Sequence, residues 1–345
     1  LLNISSLSQL GWKPCFQQQL TLDESENATV GRVVSHERGL IHVQTSEGKK
    51  PIRVSKNMPE FSVGDWIVLD SSGGFIRLLE RFSLFSRKAA GTKVTTQLIA
   101  SNIDTVFIVS SMNQDFNLNR IERYLAVANE AGVETVVVLT KLDTCKHPDQ
   151  YVVQVHDMDP FLETVTVNSL DPESVCKLGG WCIEGNTVAF LGSSGVGKST
   201  LINTLLGESA QQTNAIREDD AKGRHTTTSR SIHILPSGGL LLDTPGMREL
   251  QLAECEQGIE DTFSEISELA KLCRFKDCQH ENEPGCVVRS AIESSGLDER
   301  RLTNYLKLMK EQELNTATLA EKRARDREFG RHIHSYKKSK RNKKG

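Results

Sequence analysis

Long apolar runs are missing from this chain. The best stretch, Val133 to Leu139, is broken by Glu134 and is far too short to cross a bilayer. Also missing at the N-terminus is the export pattern of a basic stretch, an apolar segment and a small-residue cleavage site. A cytoplasmic location with no membrane partner is therefore the expectation. The cysteines lack the regular spacing of a disulfide-stapled secreted domain. Cys15, Cys145, Cys176, Cys182 and Cys255 are scattered while Cys273, Cys278 and Cys286 crowd together, which suits a reducing compartment. What remains is an ordinary globular composition, 37% hydrophobic and 25% charged, spread over 345 residues. That length exceeds one core, so several domains are expected.

The net charge of −3 conceals an asymmetry. From Thr318 to Gly345 eleven Lys or Arg face only Glu321, Asp326 and Glu328, which leaves the rest of the chain at −11. Such a basic arm is either a solvated, disordered tail or a polyanion-binding one.

Between Val30 and Leu69, short β-rich runs (Val30 to Val34, Leu40 to Thr45, Pro51 to Val54, Asp65 to Leu69) are separated by turn residues, the rhythm of a small barrel. An oligonucleotide-binding barrel is one reading of that rhythm among several. The preceding residues, Ser5 to Leu22, read as a helical or irregular lead-in with no further interpretable pattern. A basic connector carrying Arg81, Arg87, Lys88 and Lys93 follows, and then the pattern becomes α/β. Ile103 to Val109, Glu134 to Leu139, Val165 to Val167 and Thr187 to Leu191 read as buried parallel strands. Leu118 to Ala131 is a crossover helix, with a short helix near Glu173 to Leu178. Ile232 to Leu235 and Leu240 to Leu242 form a hairpin ending on Asp243. Beyond Ile259 the chain reads as helical and polar.

Gly192-Ser193-Ser194-Gly195-Val196-Gly197-Lys198-Ser199-Thr200 lies between an apolar strand and a helix, the context a phosphate-binding loop requires. Its glycines let backbone amides turn toward the phosphates, and the helix N-terminus adds positive potential. Lys198 is expected to reach the β- and γ-phosphates and Ser199 to ligate Mg²⁺. Asp243-Thr244-Pro245-Gly246 then supplies a carboxylate for the Mg²⁺, and the Gly246 amide is placed to sense the γ-phosphate. Between these motifs, Arg224-His225-Thr226-Thr227-Thr228 reads as a switch segment. Either Thr226 or Thr227 would give the metal its hydroxyl.

Thr140-Lys141-Leu142-Asp143 closes another strand. Asp143 there can accept hydrogen bonds from N1 and N2 of guanine, a donor pair that adenine lacks, so the wrong base would leave the carboxylate unpaired. Lys141 would lie along the purine, and Asn168-Ser169 would contact the base or order Asp143. The expected ligands are thus GTP and GDP with Mg²⁺. The base motif precedes the phosphate loop, the reverse of the usual GTPase order, which predicts a circular permutation. The permuted C-terminus then emerges just after the γ-phosphate sensor.

Two further features bear on chemistry. Met247 stands where many GTPases carry a water-orienting Gln, and a thioether cannot do that work. Slow intrinsic hydrolysis follows, and a group supplied on activation can be worth roughly 10³ to 10⁵ in rate, about 4 to 7 kcal/mol. His225 is the catalytic candidate, and an exposed switch histidine without a role is the alternative. Cys273-x₄-Cys278-x-His280-x₅-Cys286 gathers three thiols and an imidazole, the donor set of a closed structural Zn²⁺ site.

Together these motifs resemble the circularly permuted, small-ribosomal-subunit-dependent GTPases of the RsgA or YjeQ family. The likeness extends to the barrel and the connector Gln97 to Asp104, and Thr140 in place of the common Asn is a variation the family tolerates. The resemblance implies an N-terminal OB-type β-barrel, an α/β permuted P-loop GTPase core and a C-terminal helical zinc-binding domain with His280 among its ligands. It also implies that the small ribosomal subunit and its rRNA are the partners, in late subunit maturation, with hydrolysis stimulated by the subunit and coupled to release. The expected boundaries are a lead-in over 1–27, the barrel over 28–80, a connector over 81–100, the GTPase domain over 101–257, the zinc domain over 258–317 and the basic tail over 318–345. A monomer is expected. The alternative function is an RNA-binding placeholder that GTP merely stabilises.

Overall fold

The computed structural model describes residues 6–37, 39–88, 96–207, 230–243 and 255–316. Among them, no helix is long and apolar enough to cross a membrane. The described residues fall into two compact units. The first draws on Leu1–Ser86, Leu98–Leu250 and Gln257–Ser264, the second on Arg87–Gln97, Gln251–Glu256 and Glu265–Gly345.

In the first unit the β-rich N-terminal segment supplies β1 (Thr29–Glu37), β2 (Leu40–Thr45), β3 (Gly48–Arg53), β4 (Trp66–Leu69) and β5 (Phe75–Leu78). They pair antiparallel in the order β3-β2-β1-β4-β5. A register shift between Val33 and Ser35 bends β1, so its first half can pair with β4 while the rest pairs with β2. Alternation then gives the strands two apolar faces. One gathers Val33, Ile41, Val43, Ile52, Ile67 and Leu69 with Phe61. The other gathers Val30, Trp66 and Val68 with Leu79 and is completed by Leu10 and Phe16 from the uninterpreted N-terminal residues. Those residues form α1 (Pro14–Gln17) and α2 (Leu22–Asn27). The start of α2 is fixed by a capping box in which Thr21 Oγ1 accepts from the Glu24 amide and Glu24 Oε2 accepts from the Thr21 amide.

The α/β part runs through β8 (Thr105–Ser111), α3 (Leu118–Glu130), β9 (Glu134–Thr140), α4 (Pro148–Met158), β10 (Glu163–Thr166), α5 (Pro172–Val175), β11 (Thr187–Leu191), α6 (Lys198–Leu206), β12 (Arg230–Ile234) and β13 (Leu240–Asp243). The strand order is β10-β9-β8-β11-β13-β12, parallel except for β12. These elements match the strands read from the sequence. Helix α4 was not foreseen, because its exposed Val153 and interspersed polar residues blur its apolar period. Within the segment taken as a connector, β6 (Leu84–Lys88) pairs with β7 (Thr96–Ser101).

Strand β12 also pairs antiparallel with β1, Ser35 opposite Ser231 and His36 opposite Arg230, so the barrel-like strands and the α/β strands form one sheet of eleven. A buried arginine fastens the same seam. Arg32 of β1 donates to Leu10 O (2.6 Å), Thr187 Oγ1 (2.8 Å), Asn102 O (2.7 Å) and Gly64 O (3.2 Å). It also lies against the Trp66 ring. Burial pulls the guanidinium down to about 10, opposed by the charges of Asp104 and Asp65, so it is a cation at neutral pH. Asp104 in turn pairs with Lys13 and accepts from the Thr187 amide.

The second unit contains α8 (Ser264–Lys271), α9 (Val287–Glu293) and α10 (Glu299–Thr316), while α7 (Glu256–Thr262) lies mostly in the first. Its buried apolar side chains are few, among them Ile266, Val288, Leu297, Leu302 and Leu308. Arg301 of α10 donates from Nε to Glu265 of α8 at 2.6 Å.

Candidate functional site

Parallel strands bring their carboxyl ends to one edge of the sheet, where ligands of open α/β folds bind. Here that edge collects the turns after β9, β10, β11 and β13, which carry all the nucleotide motifs within the described residues. His225, Thr226, Thr227, Gly246 and Met247 lie outside the described residues, as does the basic tail.

The phosphate loop leaves the fully buried β11 and enters α6. Gly192 has φ +143°, and a Cβ there would come within 2.4 Å of Val109 O, so the loop starts tight against β8. Gly197, with φ +96°, is the turn into α6. Lys198 is 7% exposed, and its Nζ donates to Gly192 O at 2.7 Å and to Ser193 O, across the mouth of its own loop. Ser194, Gly195 and Ser199 are exposed, whereas Val196 is buried and Thr200 half-buried. Asp243 is the last residue of β13, half-buried, at the same sheet edge.

The base motif meets this loop directly. Thr140 is fully buried, and its hydroxyl lies 2.5 Å from Val196 O and 3.3 Å from Ser110 O. A short hydroxyl in place of an amide therefore still ties the base motif to the phosphate loop. Lys141 sits in the left-handed region at φ +63°, an unfavourable conformation for a residue with a Cβ, and the turn Leu142–Thr144 follows it with Asp143 exposed at its centre. The second base-side segment is held by three bonds: Leu142 N donates to Val167 O (3.3 Å), Asn168 N to Ser174 Oγ (2.9 Å) and Thr204 Oγ1 of α6 to Ser169 O (2.7 Å). A Cβ on Gly197 would lie 3.5 Å from Ser169 Oγ and 3.6 Å from Thr140 Oγ1. Thr140, Ser169 and Gly197, far apart in sequence, thus converge on one point. Ser169 Oγ is buried there with no hydrogen-bond partner among the described residues.

Sequence reasoning did not single out Arg120 and Tyr124 of α3. Arg120 Nη1 lies 3.4 Å from Ser193 Oγ, and the same side chain draws down the Tyr124 phenol against the burial that raises it. No motif announces them, because on paper they belong to the polar face of a crossover helix.

In the second unit, Cys273, Cys278, His280 and Cys286 present ligand atoms that all lie within 4.8 Å of one another. Individual separations are 3.7 Å for Cys273 Sγ to His280 Nδ1, 3.5 Å for Cys286 Sγ to His280 Nδ1 and 3.9 Å between the Cys273 and Cys286 sulfurs. Tetrahedral zinc, with Zn–S near 2.3 Å and Zn–N near 2.0 Å, spaces its ligands by about 3.5 to 3.8 Å, so the donor set fits that metal. Cys286 caps α9 and accepts from the Arg289 amide at 3.4 Å. Burial raises the Cys273 thiol, but the amides of Val288 and Val287 and the neighbouring thiols outweigh it and hold the group below its ordinary value. Burial pushes Cys278 up to about 11 and pulls His280 down, which keeps the imidazole in its neutral, ligating form. His280 at φ +60° turns back between Cys278 and Cys286, the geometry that lets a residue only two beyond Cys278 join the set. His233 is engaged instead by Ser231 Oγ at 2.8 Å.

Comparison with known proteins gives a consistent result. Residues 78–253 match the family described as RsgA GTPase. A protein of Vibrio parahaemolyticus named small ribosomal subunit biogenesis GTPase RsgA 2 is 58% identical over 94% of this chain and 91% of its own length. Its counterpart in Mesorhizobium japonicum, named small ribosomal subunit biogenesis GTPase RsgA, is 44% identical over 90% of this chain and 91% of its own. Among solved structures, YjeQ from Thermotoga maritima superposes with a TM-score of 0.61 at 24% identity, covering 82% of this chain and 98% of that one. YloQ, described as a circularly permuted GTPase, gives 0.59 at 22%, covering 84% and 97%. At those identities the structural matches speak to the fold.

Proposed function

Because this chain belongs to the RsgA GTPase family, and is accordingly a GTP-hydrolysing enzyme, we propose that it acts on the small ribosomal subunit during maturation, with hydrolysis stimulated by the subunit and coupled to release. The observation that carries this reading is the meeting of Thr140, Ser169 and Gly197, which joins a guanine-reading turn to a phosphate loop. The relatives' names supply the ribosomal partner.

In this reading Asp143 accepts from the guanine N1 and N2 groups, Lys141 lies along the ring and Asn168-Ser169 completes the base pocket. Amides of Gly192 to Thr200 cradle the phosphates. Lys198, its ammonium held by the Gly192 and Ser193 carbonyls, reaches the β- and γ-phosphate oxygens with its remaining donor capacity. The Ser199 hydroxyl and the Asp243 carboxylate are hard oxygen donors suited to Mg²⁺, which when bound neutralises charge on the phosphates. His225, with Thr226 or Thr227, is the switch group brought in by the subunit, and Gly246 senses the γ-phosphate.

The domain roles belong to the same proposal. Strands β1–β5, with β1 paired to both β2 and β4, serve as a partly open OB-type barrel for rRNA. The second unit carries one structural Zn²⁺ on Cys273, Cys278, His280 and Cys286. The basic tail adds salt-dependent attraction to rRNA. The protein works as a cytoplasmic monomer. Met247 favours one competing reading, an RNA-binding placeholder whose hydrolysis is incidental. Phosphate release with and without purified small subunits decides between them. The proposal expects stimulation of roughly 10³-fold or more, and an unchanged rate rejects it.

A further inference from the structure

Lys198 is the one phosphate-site cation contributed by the loop and α6, and its position depends on two loop carbonyls, those of Gly192 and Ser193. Ser193 is therefore a joint. Its carbonyl faces the ammonium, while its hydroxyl faces α3, where Arg120 Nη1 lies 3.4 Å away and where it also draws down the Tyr124 phenol. Arg120 and Tyr124 stand four residues apart and so share one helix face. Helix α3 reaches the loop because β8, which leads into it, is the immediate parallel neighbour of β11, with Ile108 opposite Leu191. Asn117 fixes where the helix begins, its side chain accepting from the Arg120 amide at 3.2 Å.

We propose that Arg120 and Tyr124 are positioning residues of the GTPase reaction, holding the Ser193 side chain and through it the loop carbonyl that places the Lys198 ammonium. The pair differs in what each member brings. Tyr124 is neutral, since burial raises its phenol, with Arg123, Arg120 and Ser193 acting the other way. Arg120 is exposed and carries permanent charge beside the first half of the loop. The ammonium that the pair positions is the group that reaches the β- and γ-phosphates. The pair is therefore tuned to the γ-phosphate end, where a chain with Met247 in place of the usual Gln has least help of its own.

This inference rests on the nucleotide site described above, and the experiment separates the two. Basal GTP turnover and the affinities for fluorescent GTP and GDP analogues are measured for the full chain carrying Arg120→Ala, Arg120→Lys, Tyr124→Phe, Ser193→Ala and the Arg120→Ala/Ser193→Ala pair, with Lys198→Ala as control. Each alanine variant is expected to lower kcat/KM roughly 5- to 10-fold while GDP affinity changes less than about 2-fold. The double variant should be no worse than the poorer single one, because both act through the same joint, and Arg120→Lys should recover most of the loss. Tyr124→Phe removes only a hydroxyl, so its milder loss in the same direction tests the idea without disturbing the helix. Equal losses for GTP and GDP, additive losses in the double variant, or full activity in Arg120→Ala and Tyr124→Phe each overturn the proposal. Normal GTP affinity in Lys198→Ala would instead overturn the site itself.

Discussion

In the first unit β8 is buried at every position from Thr105 to Ser111, and β9 and β11 are nearly as dry. Among its described residues the second unit instead has a handful of buried apolar side chains and a cluster of three thiols and an imidazole. At about 1.5 to 3 kcal/mol per buried Val, Leu or Phe, the first unit has ample driving force from burial alone. Among its described residues the second has far less, so with the proposed zinc its ordering would depend on ligand atoms that repel or stay protonated until the cation joins them. Burial produces a site by the way: strands that pack densely must end together, and their turns become the nucleotide edge. A ligand cluster produces a fold by the way, since holding four donors fixes the backbone between them.

The sharpest test of that contrast is to remove the metal. Chelation, or Cys286→Ala, is expected to release fast amide exchange across residues 265–316 while β8, β9 and β11 stay protected. Structural zinc contributes about 10 to 16 kcal/mol in small zinc peptides. Equal loss of protection in both units would show that they fold as one. The converse test is Arg32→Met. It strips donors from Leu10 O, Gly64 O, Asn102 O and Thr187 Oγ1 at once, and should cost the first unit about 3 to 5 kcal/mol in denaturant unfolding with metal content unchanged.

Thr140→Val acts on a single bond inside the first unit. Losing the hydroxyl that reaches Val196 O should cost about 1 to 3 kcal/mol of nucleotide binding, read as a roughly tenfold or greater rise in the GTP dissociation constant, and Thr140→Ser should restore it. The smallest effect belongs to the N-terminal cover. Arg77, then the Thr21 amide, holds Glu24 down to about 2. A carboxyl lowered on folding adds stability that is full above its ordinary value of 4.5 and is lost as pH falls toward 2. Glu24→Gln should therefore lower amide-exchange protection in residues 6–27 slightly at neutral pH, where the carboxylate's contribution is full, and flatten its acid limb, leaving protection near pH 2 almost unchanged.

Much of the molecule was legible in advance because local rules govern it. Runs of β-branched residues gave the strands, with β2 and β11 matching to the residue. Glycine spacing marked the phosphate loop, and the crowding of Cys273, Cys278 and Cys286 marked the ligand cluster. The order of the motifs announced the permutation, since order is a property of the chain alone. Other features depend on partners far away in sequence and leave no local trace. Ser5 to Leu22 reads only as a helical or irregular lead-in because its apolar members Leu10 and Phe16 have meaning only against Trp66. The boundary drawn between barrel and core is crossed by the β1–β12 pairing and by Arg32, an arginine that reads as an ordinary strand residue until its four acceptors are assembled around it. Arg120 and Tyr124 likewise became part of the phosphate site only when β8 was laid beside β11. The sequence determined which chemistry the chain carries, because short motifs hold their own geometry. Tertiary structure decided which side chains support that chemistry, because a hydrogen bond or buried charge is satisfied by whichever group the fold brings within about 3 Å.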